Sequence, residues 1–210
     1  MTNPKYTDIT IVLDRSGSML DLWSDVLNGI NSFVEDQSHL DGKVVLSLVT
    51  FDTEYDVIWN ALNIQDVPKL TNKDIFPRGS TALLDAVGKR ITDTGIRLAA
   101  LSEDNRPNNV LFIVFTDGHE NASREYTADQ IRELIEQQTN TYKWTFSYLG
   151  SKHDAWNTAK TYGFQRSGTI TAQASAVGYS DVLFRTSIAT KSLHNNGTFN
   201  LNLTPNTSKN

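Results

Sequence analysis

A chain of 210 residues is long enough to bury one two- or three-layer core, so a single domain is the first expectation. Its formal charge of -5, with no run of Lys and Arg, provides no cationic footprint for nucleic acid. The absence of cysteine removes disulfides, thiolate metal sites and thiol nucleophiles together.

The opening "MTNPKYTD" lacks the basic and apolar regions of a secretory signal, and no apolar run approaches the roughly 20 residues needed to span a bilayer. A cytoplasmic protein is expected. Glycosylation-type triplets at Asn121, Asn196 and Asn206 are, without such a signal, read as chance.

In chain order, "TDITIVL" (7–13) is a buried strand rich in β-branched residues. The period then changes. Leu22, Trp23, Val26, Leu27, Ile30, Phe33 and Val34 recur at three and four, the apolar face of a helix over about 19–37. "KVVLSLVTF" and "EYDVIWNAL" are strands separated only by Asp52 and Thr53, which predicts a tight antiparallel hairpin. Beyond Pro68 and Pro77, residues 79–101 carry a helical stripe of Leu83, Leu84, Val87, Ile91, Leu98 and Leu101.

"NNVLFIVFTDG" repeats the pattern of an apolar strand that stops on an aspartate. A helix follows, with Thr127 as cap and Gln130 at the capping-box position. Next come a strand in "YKWTFSYLG", a short helix stopping at Gly163, a short strand near Thr169 and Ile170, and a helix over about 172–190. Strands alternating with helices predict a doubly wound α/β fold: a mainly parallel sheet with one antiparallel edge strand and helices on both faces. The domain is expected to end near 191, followed by a polar tail, 192–210, in which the alternation of "TFNLNL" suggests a short edge strand at 198–203. The tryptophans at 23, 59, 144 and 156 fall at apolar positions and are expected in packing roles.

In a doubly wound sheet the functional crevice lies beyond the carboxyl ends of the strands. There the first strand ends in Asp14, with Ser16 and Ser18 two and four residues on, and a second strand ends in Asp117 and Gly118. Thr81, just after Gly79, opens a helix that can reach the same crevice. Acids and hydroxyls without Cys or clustered His describe an all-oxygen site for a hard cation. Each piece has a plainer reading, since Ser16, Ser18 and Thr81 could be helix caps and Asp117-Gly118 a turn.

Taken together, Asp14-x-Ser16-x-Ser18, Thr81 and Asp117-Gly118 resemble the metal-ion-dependent adhesion site (MIDAS) of the von Willebrand factor A family. The resemblance runs over about residues 7–190 and is nearest to stand-alone bacterial and phage members, whose sites read much like "DRSGSM" and "PRGST" here. It implies strand order 3-2-1-4-5-6 and a magnesium ion, with manganese or calcium as alternatives. Ser16, Ser18 and Thr81 would ligate through hydroxyl oxygen, and Asp14 and Asp117 directly or through water. Magnesium at about 2.0–2.1 Å among mostly neutral oxygens keeps an open position, which a partner protein's Asp or Glu would fill. Similar domains serve in assembly with chaperone-class ATPases, in stress-resistance complexes, and in phage or surface adhesion. The identity of the partner and the oligomeric state are not encoded in any feature of the sequence.

Arg15, Arg78, His119 and Glu120 flank the expected ion; they either line its rim, where the arginines would favour an anionic ligand, or are solvated loop charge. Asp85, one turn past Thr81, is either support for the site or a solvent-facing helix acid. No nucleophile elbow, phosphate loop or H-E-x-x-H helix is present, and "DTGI" at 93–96 sits in a helical stripe without protease partners. A binding module is therefore expected, not an enzyme. Two alternatives stand beside it: a virion-associated or surface adhesin, and a magnesium-dependent phosphatase with Asp14 as nucleophile.

Overall fold

The computed structural model describes residues 3–117, 119–150, 155–172 and 175–202. Its elements are β1 (Asn3–Asp14), α1 (Trp23–Ser38), β2 (Lys43–Phe51), β3 (Tyr55–Asn63), α2 (Leu83–Ala99), β4 (Pro107–Thr116), α3 (Ala128–Tyr142), β5 (Thr145–Gly150), α4 (Ala155–Thr161), β6 (Thr169–Thr171) and α5 (Ala176–Asn196). The strands form one sheet in the order β3-β2-β1-β4-β5-β6, the order the resemblance implies. All neighbours are parallel except β2 and β3.

Side chains alternate across β1 and divide the core into two layers. Ile9, Ile11 and Leu13 join Leu46, Leu48, Ile113 and Phe115 against Val26, Ile30 and Phe33 of α1 and Tyr179, Val182 and Leu183 of α5. On the opposite face Val12, Val49, Phe112, Val114 and Phe146 lie under α2 and α3, where Leu84, Val87, Ile91, Ile131 and Ile135 supply the apolar stripes predicted by spacing. Burying each such aliphatic side chain contributes about 1.5–3 kcal/mol, so two filled layers fix the sheet from both sides. Helix α1 approaches α5 so closely that a Cβ on Gly29 would lie 2.3 Å from Leu183 Cδ1.

The hairpin turns without a glycine because Asp52 does the turning. Its main-chain N–H donates to the Glu54 carbonyl at 3.0 Å, and its side-chain Oδ1 accepts the Glu54 N–H at 2.6 Å. The capping box is present as the sequence predicts, with Thr127 and Gln130 each satisfying the other's backbone N–H.

Three boundaries differ from the sequence expectation. A tight 3-10 turn, Gly17–Leu22, precedes α1 and carries Met19 into the core. Helix α3 extends to Tyr142 and stops where Lys143 turns left-handed, at φ 59°, so the next strand begins only at Thr145. Helix α5 runs to Asn196, past the expected domain end at 191, because Leu193 and His194 continue its buried face. The chain then turns at Gly197 and packs Leu201 fully into the core, its N–H donating to Ser167 O at 2.9 Å. Residues 198–200 are irregular and 201–202 a turn, where the alternation suggested an edge strand, and one inserted side chain anchors them; residue 203 onward lies outside the described residues. Trp23, Trp59 and Trp144 are buried as expected, whereas Trp156 is half-buried with Arg166 stacked on its ring, 5.1 Å from the centroid. Among the described residues, no helix is long and apolar enough to cross a membrane.

Candidate metal centre

Strands β1 and β4 are neighbours, and the connections that leave their carboxyl ends go to opposite sides of the sheet: from β1 through α1 to β2, from β4 through α3 to β5. This is the point where a doubly wound sheet opens a crevice. Asp14 sits there with no exposed surface. Its Oδ1 accepts the Ser16 N–H at 2.7 Å, and its Oδ2 accepts the Thr116 hydroxyl at 2.6 Å. Ser16 Oγ lies 3.2 Å from Ser18 Oγ, and Ser18 donates to Asp117 Oδ1 at 2.7 Å. Four of the five predicted ligands thus form one hydrogen-bonded series across two strand ends, linked from Asp14 to Ser16 through a backbone N–H and onward through side-chain oxygens. Ser18 is its exposed member, while Ser16 and Asp117 are buried.

Thr81, also buried, arrives on a separate loop. Gly17 N–H donates to Gly79 O at 3.2 Å, and Arg78 N–H to Arg15 O at 2.8 Å, so the Ser16–Ser18 loop and the Thr81 loop are joined through their backbones. Gly79 holds φ +68°, a conformation that favours glycine. The Thr81 hydroxyl is hydrogen-bonded to none of the described residues.

Burial raises the Asp14 carboxyl above its ordinary range; the donors from Thr116 and Ser16 pull it down, and the Asp117 charge adds to the rise. Two acids forced together in this way favour a cation between them. Among the described residues no three of His, Cys, Asp or Glu cluster to hold a metal, so an ion here would depend on the hydroxyl oxygens of Ser16, Ser18 and Thr81. That donor set suits a hard cation.

The rim residues behave differently from the expectation of free charge. Arg15 is buried and pairs with Asp52 at 3.1 Å and Asp56 at 2.7 Å. Arg78 pairs with Asp52 at 2.8 Å and with Glu54. Both guanidinium charges are balanced by the β2–β3 hairpin, which corrects the view that they would draw an anionic ligand. Glu120 is no open rim acid either: it accepts the N–H groups of Ala122 and Ser123 at 2.9 and 2.7 Å and that of Leu84 at 3.0 Å. Only His119 is exposed as a rim residue would be.

The loop after β4 is in fact fastened to the start of α2, whose N-cap, Ala82, has no side-chain acceptor of its own. Glu120 and Ser123 take the N–H groups of Leu84 and Asp85. Asn121 Oδ1 accepts the Thr81 N–H at 2.9 Å. In return, Asp85 accepts the N–H groups of Arg124, Glu125 and Tyr126. Asp85 therefore supports the site's loops and is not a free helix acid. The donors that a helix start leaves unpaired are met by a segment nearly forty residues away. Sequence reasoning gave no site role to Thr116, Asn121, Ser123 or Asp52, although the first three lie in a stretch, "TDGHENAS", that shares in the family resemblance; Thr116 could have been suspected as a hydroxyl immediately before a strand-end acid.

A family model described as the von Willebrand factor type A domain matches residues 8–161. No curated protein matches the sequence. Among solved structures, a mutant of the PilB minor pilin from Streptococcus sanguinis aligns with TM-score 0.66 at 12% identity, covering 90% of this chain and 62% of the pilin. Proximal thread matrix protein 1 of the mussel byssus, solved with a zinc-occupied MIDAS motif, aligns with TM-score 0.59 at 14% identity over 85% of this chain and 46% of that one. Manganese-loaded TRAP protein of Plasmodium vivax gives 0.58 at 14% identity, covering 81% and 69%. The chain thus spans less than two thirds of the pilin and byssus proteins, and identities this low speak to the fold alone.

Proposed function

The chain belongs to the von Willebrand factor type A family, and from that premise we propose that it is an adhesion or assembly module that captures a protein partner through a divalent cation. Asp14, Ser16, Ser18, Thr81 and Asp117 would hold the ion, and an Asp or Glu of the partner would complete its shell. The observation that carries the reading is the hydrogen-bonded chain from Thr116 through Asp14, Ser16 and Ser18 to Asp117, which gathers oxygen donors from two strand ends at 2.6–3.2 Å.

Magnesium is the ion of choice, with manganese or calcium as competitors, because the donors are all oxygen and mostly neutral. Zinc and manganese in the byssus and TRAP structures support a divalent ion in this fold. No observation favours the phosphatase reading, in which Ser16 stands where a general acid would be needed. A cytoplasmic partner is our first placement. A surface or virion adhesin is the second; detection of the protein in purified particles would decide for it.

Calorimetric titration of magnesium into the wild type and the Ser16→Ala/Ser18→Ala variant tests the site. Binding in the first and none in the second, both folded in EDTA, is expected. Capture of a partner that survives Asp14→Ala would refute the mechanism.

A further inference from the structure

We propose that Asp52, at the tip of the β2–β3 hairpin, is the positioning residue that holds the Ser16–Ser18 loop and the Thr81 loop in register, an inference that rests on the metal-site reading above. Its carboxylate is almost completely buried, with 1% of the side chain exposed. One oxygen, Oδ2, receives both Arg15 Nε at 3.1 Å and Arg78 Nε at 2.8 Å. The other, Oδ1, accepts the Glu54 N–H and so fixes the plane of the group.

The main chain around Asp52 repeats the arrangement. Phe51 O accepts the Arg15 N–H at 2.8 Å, and Asp52 O accepts the Ala82 N–H at 2.9 Å. Each loop is therefore held at this hairpin twice, once by backbone and once by a guanidinium. A Cβ on Gly79 would meet Asp52 Cβ at 3.3 Å, so the second loop also packs directly on it.

Two consequences follow for an ion. Ser16 and Ser18 come from one loop and Thr81 from the other, and a near-octahedral cation requires its donors to be held within about 0.5 Å. The register of the two loops therefore determines whether all three hydroxyls can ligate together. Charge acts in the same direction. Arg15 and Arg78 sit on the metal loops, and among the described residues loss of the Asp52 carboxylate would leave the buried Arg15 with Asp56 and Arg78 with Glu54. Each guanidinium would then be less fully balanced, and positive charge beside a divalent ion opposes its binding.

The test is hydrogen–deuterium exchange of the full, metal-free chain, with magnesium calorimetry alongside, for the wild type, Asp52→Asn and Arg78→Gln. Asparagine keeps the size and can still accept from Glu54, but it carries no charge for the two arginines. Faster exchange at Gly17, Arg78 and Ala82 with β1 and β4 unchanged, and magnesium affinity at least tenfold weaker, is the expected result for Asp52→Asn. Arg78→Gln removes one arm at a side chain already 40% exposed, so it reports even if Asp52→Asn unfolds; it should loosen the Thr81 loop and leave the Arg15 amide, held by Phe51 O, protected. Loosening confined to residues 51–55, or unchanged exchange at Arg78 and Ala82 in Arg78→Gln, overturns the proposal. If the wild type itself binds no magnesium, the metal reading fails, while the exchange pattern still decides whether Asp52 sets the register.

Discussion

The hydroxyl of Thr116, the last residue of β4, donates to Asp14 Oδ2 at 2.6 Å, so the acid that ends one strand is aimed by the residue that ends its neighbour. Thr116→Val preserves the shape and removes the donor from a fully buried carboxylate. We expect a loss of about 1–3 kcal/mol in urea unfolding at neutral pH, together with weaker magnesium binding.

Asp14 also predicts a trade between stability and function. Because burial raises its carboxyl, the folded protein holds that proton to higher pH than the unfolded chain does. The associated stability is present below the unfolded pKa and is lost as pH rises through the folded one. At neutral pH in EDTA, Asp14→Asn should therefore melt higher than the wild type, and added magnesium should raise the melting temperature of the wild type alone. A variant that melts lower in EDTA would show that the carboxylate is stabilising even without metal.

Asp8 and Arg97 form a two-toothed ion pair at 2.8 and 2.9 Å between β1 and α2, with the Asp8 side chain wholly buried. Arg97→Met leaves that carboxylate without its countercharge, with only the Tyr6 hydroxyl beside it among the described residues, and should cost about 3–5 kcal/mol in denaturant unfolding, whereas Asp8→Leu/Arg97→Met should recover most of the loss.

At Gly29 the distance to Leu183 leaves no room for a methyl group. Gly29→Ala should destabilise the protein by about 1–3 kcal/mol by forcing the buried Leu183 side chain to repack, in spite of alanine's better helix propensity, as measured by thermal melting.

Asp85→Ala removes the acceptor of three consecutive N–H groups, those of Arg124, Glu125 and Tyr126. Exchange at these three amides should accelerate selectively, and magnesium affinity should fall without loss of the global fold.

The parts of this molecule that could be read from its sequence are those governed by local periodicity. β1 and β4 are apolar runs that stop on acids, the stripes of α1 and α2 recur at helical spacing, and Thr127 with Gln130 is a short-range cap. The five proposed ligands were legible for the same reason, since each lies within a few residues of an element's end. What could not be read depends on pairings distant in the chain. Arg15 and Arg78 look like free rim charge until the hairpin places Asp52, Asp56 and Glu54 against them. Glu120 looks like a site acid until α2 presents its unpaired N–H of Leu84. Packing beyond the expected domain end at 191 was not legible because α5 continues to Asn196 and the polar tail carries one core residue, Leu201, between asparagines.

The contact between the Thr7 hydroxyl and His194 Nδ1, at 2.8 Å, spans 187 positions, and His194 Nε2 meets the Asp41 carbonyl at 2.7 Å. The first strand of this domain is thus finished by α5, the last of its described helices. Between them β1 must also acquire β2 on one side and β4 on the other, so every early fragment carries an apolar strand with bare edges. Pairings of such long range are slow to form and leave the nascent chain exposed to association. The domain should therefore be acquired late and in one cooperative step, and ribosome-bound chains that stop short of α5 should be the species most dependent on chaperones.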